Sequence, residues 1–162
     1  MIRDVRSQDI DAITDIYNWY ITNSTATFEV DPISCQDMAD RVARFTTEGM
    51  PYMVFEADGM ILGYCYAHRW KQRAAYSHTL ETTVYLHPEH LRKGIGRQLM
   101  EKLIADCRAT GYKALIACIT EGNEASCALH RALGFQQVSL FKEVGRKFDK
   151  WLGVVDFELL LN

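Results

Sequence analysis

Residues 79–120 leave few choices of fold. "TLETTVYLH" is a β-rich run with period-two alternation, ended by Pro88. Past Gly96, residues Leu99, Met100, Leu103, Ile104 and Cys107 recur at helical spacing until Gly111, a helix stop. "KALIACIT" then supplies a second strand. Two strands separated by one long helix do not make a hairpin. The sheet they join is expected to be mostly antiparallel with a parallel portion near its middle.

The flanking segments add antiparallel strands and more helices. "IRDVR" is a short first strand. From Ser7, a candidate N-cap, residues Ile10, Ile13, Ile16, Tyr17, Tyr20 and Ile21 mark a helix that "TNSTATFEVDP" breaks. A second helix is predicted from near Ser34, with Asp37 as its capping-box partner and Met38, Val42 and Phe45 as its apolar stripe. "PYMVFEADGMILGYCYAH" reads as a hairpin turning at Asp58-Gly59. "WKQRAAYSH" is a polar, aromatic-rich connection, and "NEASCALHRALGF" a short helix closed by Gly134. "QQVSLFKEV" and "VVDFELLL" are closing strands joined through "GRKFDKWLG". The order β-αα-βββ-α-β-α-ββ, with no linker or repeat, predicts one α/β (α+β) domain over residues 1–162. Its central sheet is mixed, mostly antiparallel, and flanked by helices.

Composition narrows the function classes. The formal net charge of −3 argues against a general nucleic-acid binder, so Lys142, Arg146, Lys147 and Lys150 read as solvated charge. No apolar run reaches the length of a membrane span and no signal-peptide stretch opens the chain, so a cytoplasmic protein without membrane contact is expected. The five cysteines include no Cys-x-x-Cys, and the histidines lack ligand spacing, so neither a disulfide framework nor a metal site is expected. The cysteines read as small buried hydrophobes.

Chemistry concentrates around "HLRKGIGRQL". Gly94-x-Gly96 at a helix start fits either a phosphate cradle or a tight helix beginning. It is neither a dinucleotide fingerprint, since Leu99 stands where the third glycine belongs, nor a P-loop, which needs Gly-Lys-Ser/Thr. Glu81 lies in the strand before it, sharing a face with Thr83 and Tyr85 unless a bulge shifts the parity. A carboxylate there is a general base or an ion-pair partner of a loop Arg or Lys. Asn123 and His130 are two helical turns apart and share a face.

The ordered pattern of strand, Pro-Glu-His, "LRKGIG", long helix, strand and "N-x-x-A-x-x-L-H-x-x-L-G-F" resembles the GNAT family of acetyl-CoA-dependent N-acetyltransferases over nearly the whole chain. "IYNWYITNSTATFE", "WKQRAAYSHTLETTVYLHPEH" and "VGRKFDKWLGVVDFEL" resemble its phosphinothricin and methionine sulfoximine (methionine sulfone) branch. The resemblance implies that Arg92, Lys93, Gly94, Ile95, Gly96 and Arg97 form the coenzyme pyrophosphate loop. Leu91 departs from the Gln or Arg common at that point in the family. It implies a backbone N–H of Val84, Tyr85 or Leu86 for the oxyanion, where the central strand splays from its neighbour. Glu81 becomes the base, directly or through water.

The resemblance gives His130 three readings: donor to the leaving thiolate, relay, or packed aromatic. Asn123 contacts the coenzyme arm, caps its helix, or does both. Lys71 and Arg73, with Tyr76 beside them, form either a clamp for a substrate carboxylate or a solvated loop. Phe28 and Glu29 either wall the substrate side or are ordinary loop packing, and Thr83 is placed on the substrate side. The expected activity is acetylation of the α-amino group of a small amino acid or analogue, by direct attack in a ternary complex of a homodimeric enzyme. Its rivals are acetylation of a protein N-terminus and a non-catalytic acyl-CoA-binding domain.

Overall fold

In the computed structural model, which describes residues 1–162, strands and helices alternate in the predicted order. They are β1 (Ile2–Asp4), α1 (Ile10–Asn23), α2 (Cys35–Thr47), β2 (Tyr52–Ala57), β3 (Met60–Arg69), β4 (Thr79–Leu86), α3 (Ile95–Thr110), β5 (Ala114–Thr120), α4 (Glu124–Ala132), β6 (Gln136–Lys147) and β7 (Lys150–Leu160). One seven-stranded sheet runs β1-β2-β3-β4-β5-β7-β6. Only β4 and β5 are parallel, as the helical crossover requires.

Two apolar cores sandwich the sheet. On one face Ile95, Leu99, Met100, Leu103 and Cys107 of α3 pack on Leu80, Leu115, Ala117 and Phe157. On the other, Ile13 and Ile16 of α1 and Met38 and Val42 of α2 pack on Tyr52, Val54 and Tyr64. Each fully buried leucine, such as Leu99 or Leu103, contributes about 1.5–3 kcal/mol of transfer free energy. Ser34 and Asp37 form the predicted capping box of α2: Asp37 N–H donates to Ser34 Oγ at 3.0 Å and Ser34 N–H to Asp37 Oδ2 at 3.1 Å. Asp58 and Gly59 both take positive φ, which the tight hairpin turn requires.

The last hairpin departs from expectation. "GRKFDKWLG" is not a connecting loop: β6 and β7 pair through it, with Gly145 opposite Leu152 and Lys147 opposite Lys150. The turn is only Phe148-Asp149, at φ 51° and 59°. Lys147 is also not solvated. Its ammonium, 3% exposed, donates to the carbonyls of Ser24 at 2.7 Å and Thr27 at 2.8 Å. Cys65, Cys107 and Cys127 are buried as expected, but Cys35 and Cys118 are exposed. No helix is long and apolar enough to cross a membrane, and no cluster of His, Cys, Asp and Glu could hold a metal ion.

Candidate active site

The β4–β5 pairing runs only from Thr79 with Ala114 to Glu81 with Ile116. Beyond it, β4 stays on β3 as far as Leu86, while β5 stays on β7 as far as Thr120. The strands thus fork, with Glu81 at the last paired position. No register shift interrupts β3–β4, so the period-two parity holds. Leu80 and Thr82 point to the α3 core, and Glu81, Thr83 and Tyr85 to the α1 side.

Hydrogen bonds at the ends of β4 decide which amides face the fork. Thr79 C=O accepts from Trp70 N–H, and His87 N–H donates to Leu62 C=O, both on the β3 side. His78 C=O accepts from Lys113 N–H, and Leu86 C=O from Tyr20 Oη at 2.7 Å, both away from β3. Peptide groups alternate in direction along an antiparallel strand. The amide of Tyr85 therefore serves β3, whereas those of Val84 and Leu86 turn into the fork, where β5 no longer supplies an acceptor.

A cleft of about 760 Å³ opens there. Thr83, Val84, Tyr85 and Leu86 line it from β4, Phe28 from the loop after α1, and Asn123 and His130 from α4. Its ionisable lining is Glu81, Glu121, His68, His130, Cys118 and three tyrosines beside Tyr85, with no Lys or Arg. The ionisable neighbour of Glu81 is His68, Nε2 to Oε2 3.9 Å, rather than a loop cation. Burial raises the phenol pKa values of Tyr17, Tyr66 and Tyr85, leaving them neutral hydrogen-bonding walls. Desolvation, then the Glu81 and Asp156 carboxylates, raise the Cys118 thiol, which stays protonated.

His130 is buried edge-on against Phe135, ring centroids 5.0 Å apart. Its Nδ1 lies 2.8 Å from Ser126 C=O, which assigns the hydrogen to Nδ1. Burial depresses its pKa, so the ring is neutral and Nε2 is an acceptor. No buried side-chain nitrogen lacks a partner, so Nε2 opens on the cleft that His130 lines. Asn123 caps α4, its Oδ1 accepting from Ser126 N–H at 3.3 Å, while also lining the cleft.

The other end of the fork meets the start of α3. Gly94 takes φ 75°, and Gln98 N–H is the first to bond back, to Gly94 C=O at 3.1 Å. The amides of Ile95, Gly96 and Arg97 precede that bond and point outward at the positive end of the helix. A Cβ on Gly96 would lie 3.3 Å from Leu86 and 3.6 Å from Leu129, so this glycine seats the helix start tightly on β4 and α4. A run of open amides at the edge of the cleft fits a pyrophosphate. The basic side chains stand outside it: Arg92 is exposed, Lys93 reaches His90, and Arg97 pairs with Glu101.

The expected substrate residues divide. Phe28 lines the cleft, its ring seated where a Cβ on Gly145 would overlap it. Glu29 is a loop anchor, bidentate to Arg41, whose guanidinium holds its carboxyl below the usual range. Lys71, Arg73 and Tyr76 do not enter the cleft of their own chain. The Lys71 ammonium instead lies 4.4 Å from the Trp70 ring centroid and 5.4 Å from that of Tyr76. The cleft also contains His68, Tyr66 and Cys118, which the sequence reading passed over. The alternation in "YCYAH" does carry a signal: it puts Tyr66 and His68 on Glu81's face once the hairpin register is set.

Residues 13–135 match the model of the Acetyltransferase (GNAT) family. The chain is 42% identical to a phosphinothricin N-acetyltransferase of Alcaligenes faecalis, over 99% of this chain and 82% of that protein. It is 37% identical to an L-methionine sulfoximine/L-methionine sulfone acetyltransferase of Pseudomonas aeruginosa, over 99% and 94%. Its structure superposes with a TM-score of 0.97 on a phosphinothricin acetyltransferase from Sinorhizobium meliloti solved with acetyl-CoA, at 38% identity, covering 100% of this chain and 88% of that one.

Proposed function

The chain belongs to the GNAT family and is an N-acetyltransferase, and from that premise we propose that it acetylates the α-amino group of a small amino acid or analogue of the phosphinothricin or methionine sulfone type. The fork between β4 and β5 carries this reading: it aligns Glu81, the open amides of Val84 and Leu86, and the start of α3 along one cleft. Bound acetyl-CoA would supply an activated thioester, with its pyrophosphate on the amides of Ile95, Gly96 and Arg97 and its arm along Asn123. Val84 and Leu86 would donate to the carbonyl oxygen as negative charge gathers there. Glu81 takes a proton from the substrate ammonium, so that a neutral amine attacks.

His130, neutral with Nε2 as acceptor, orients hydrogen-bond donors in the cleft and does not protonate the leaving thiolate. The protonated thiol of Cys118 favours direct attack over an acetyl-enzyme. The carboxylates of the cleft draw in an ammonium, but nothing cationic in it receives an α-carboxylate. We assign that task to Lys71 and Arg73 of a second copy, in a homodimer whose acceptor site is completed across the interface.

Thiol release from acetyl-CoA is expected with methionine sulfone and phosphinothricin, and not with their decarboxylated amines or with peptide N-termini. Preference for peptides or decarboxylated amines overturns the substrate assignment. Glu81→Gln is expected to lose roughly 10²-fold or more in kcat with acetyl-CoA affinity retained. Arg73→Ala is expected to lose about tenfold to a hundredfold in kcat/KM for the amino acid, from loss of a charge-assisted contact. Mixing these two weak variants should restore roughly a quarter of wild-type turnover, because half of randomly mixed dimers hold one intact site of two. No gain on mixing rejects the shared site.

A further inference from the structure

We propose that His68 is the proton exit of the acceptor site: it receives from Glu81 the proton that Glu81 removes from the substrate, and passes it to solvent. The inference rests on Glu81 being the base. His68 and Glu81 are directly opposed across β3 and β4, and both side chains face the cleft. Their Nε2 and Oε2 atoms are 3.9 Å apart, a gap spanned by a small turn of the carboxyl or by one water molecule.

The tautomer gives the pair a direction. His68 Nδ1 lies 2.9 Å from Arg69 C=O, which only accepts, so Nδ1 carries the hydrogen. The neutral ring therefore turns a lone pair, Nε2, toward Glu81. A lone pair facing a carboxylate gains nothing, but facing a carboxylic acid it is a proton acceptor. Glu81 becomes that acid once it has taken the substrate proton. After transfer, an imidazolium faces a carboxylate, an attractive pair.

The surroundings support this route. Two other groups near Glu81, the Cys118 thiol and the Tyr66 phenol, hold their own protons tightly. Phe45 of α2 stacks on the His68 ring at 5.2 Å and 18°, with the Arg44 guanidinium 4.9 Å from the centroid of Phe45. Glu48, just past the end of α2, lies by Arg69 rather than His68, 3.9 Å between charged atoms. Glu81 is thus the only carboxylate the structure pairs with the imidazole. The His68 side chain is 27% exposed, enough for Nε2–H to exchange with bulk water. In sum, an ammonium N–H bond breaks as the Glu81 O–H bond forms. That O–H breaks as Nε2–H forms, and Nε2–H finally yields its proton to water, leaving both residues as they began.

The test uses the full-length enzyme with methionine sulfone and acetyl-CoA. His68→Gln is expected to lower kcat about tenfold at neutral pH, less than loss of a direct base, with KM for acetyl-CoA unchanged. His68→Phe, which keeps the stack on Phe45, should lose as much. Added imidazole should restore part of the loss in His68→Gln. Full activity in His68→Phe, or no imidazole rescue of His68→Gln, overturns the relay. Glu81→Gln separates the two ideas: if it remains fully active, the base assignment fails. If it is crippled while both His68 variants are unaffected, only the relay fails.

Discussion

His130 is a neutral imidazole fixed in one tautomer, and that has a consequence for stability. Burial holds its pKa below the ordinary 6.5. Between that depressed value and 6.5 the unfolded chain binds more protons than the folded one. Its contribution is complete above 6.5 and is lost as pH falls through the window. His130→Phe removes this titration and keeps an aromatic against Phe135. Melting temperature measured from about pH 7.5 to 5 should therefore fall less in the variant than in wild type. Parallel curves would reject the buried neutral imidazole. Residues of this kind were partly legible in the sequence. Glu81, Asn123 and His130 could be placed on faces because each face follows from a local period. Lys147 could not be placed, because its carbonyl partners at Ser24 and Thr27 lie 123 and 120 residues away. Nor could Cys118, whose exposure depends on β4 parting from β5. Arg73 could be offered as a clamp or as a solvated loop but not placed, and residues 70–76 do not line the cleft of their own chain.

At the scale of elements, the helices were readable from their apolar stripes, while the caps agree only in part: Ser7 does not cap α1 but sits in a short 3-10 turn before it, and α1 begins at Ile10 with no side-chain cap. Ser34 is the sharpest case, since its hydroxyl and the Asp37 carboxylate each satisfy an amide at the start of α2. Ser34→Ala is expected to cost about 1 kcal/mol in denaturant unfolding, with the slope unchanged. A loss below a few tenths would mean that water replaces the cap without penalty. The β6–β7 turn was not readable. Tight hairpin turns announce themselves through Asn-Gly or Asp-Gly, as Asp58-Gly59 does. Phe148-Asp149 adopts the same left-handed pair without a glycine, held by pairing on both sides, from Gly145–Leu152 to Lys147–Lys150. The fork was anticipated only through family likeness, since neither β4 nor β5 contains a residue that marks where pairing stops.

At the scale of the whole molecule, the loop after α1 is held from several distant points. Lys147 of β6 grips Ser24 and Thr27, Thr120 of β5 donates to Thr25 C=O at 2.6 Å, and Tyr17 Oη meets Thr27 Oγ1 at 2.9 Å. Lys147→Met keeps the length of the side chain but leaves two carbonyls without their donor. Unfolding free energy should drop by about 1–3 kcal/mol. Amide exchange at residues 24–28 should quicken, and KM for the amino acid should rise several-fold at constant acetyl-CoA affinity. Unaltered exchange in that loop would show that the other ties suffice. The same grip sets an order of assembly. The wall of the acceptor cleft is laid down early in the chain, yet it is locked by a lysine that emerges more than a hundred residues later. Contacts so far apart in sequence form late, after the loop-closure entropy has been met by nearer ones. During synthesis the start of α3 is complete before β6 leaves the ribosome. The wall of the half that chooses the amine is therefore complete only once β6 and its lysine are in place.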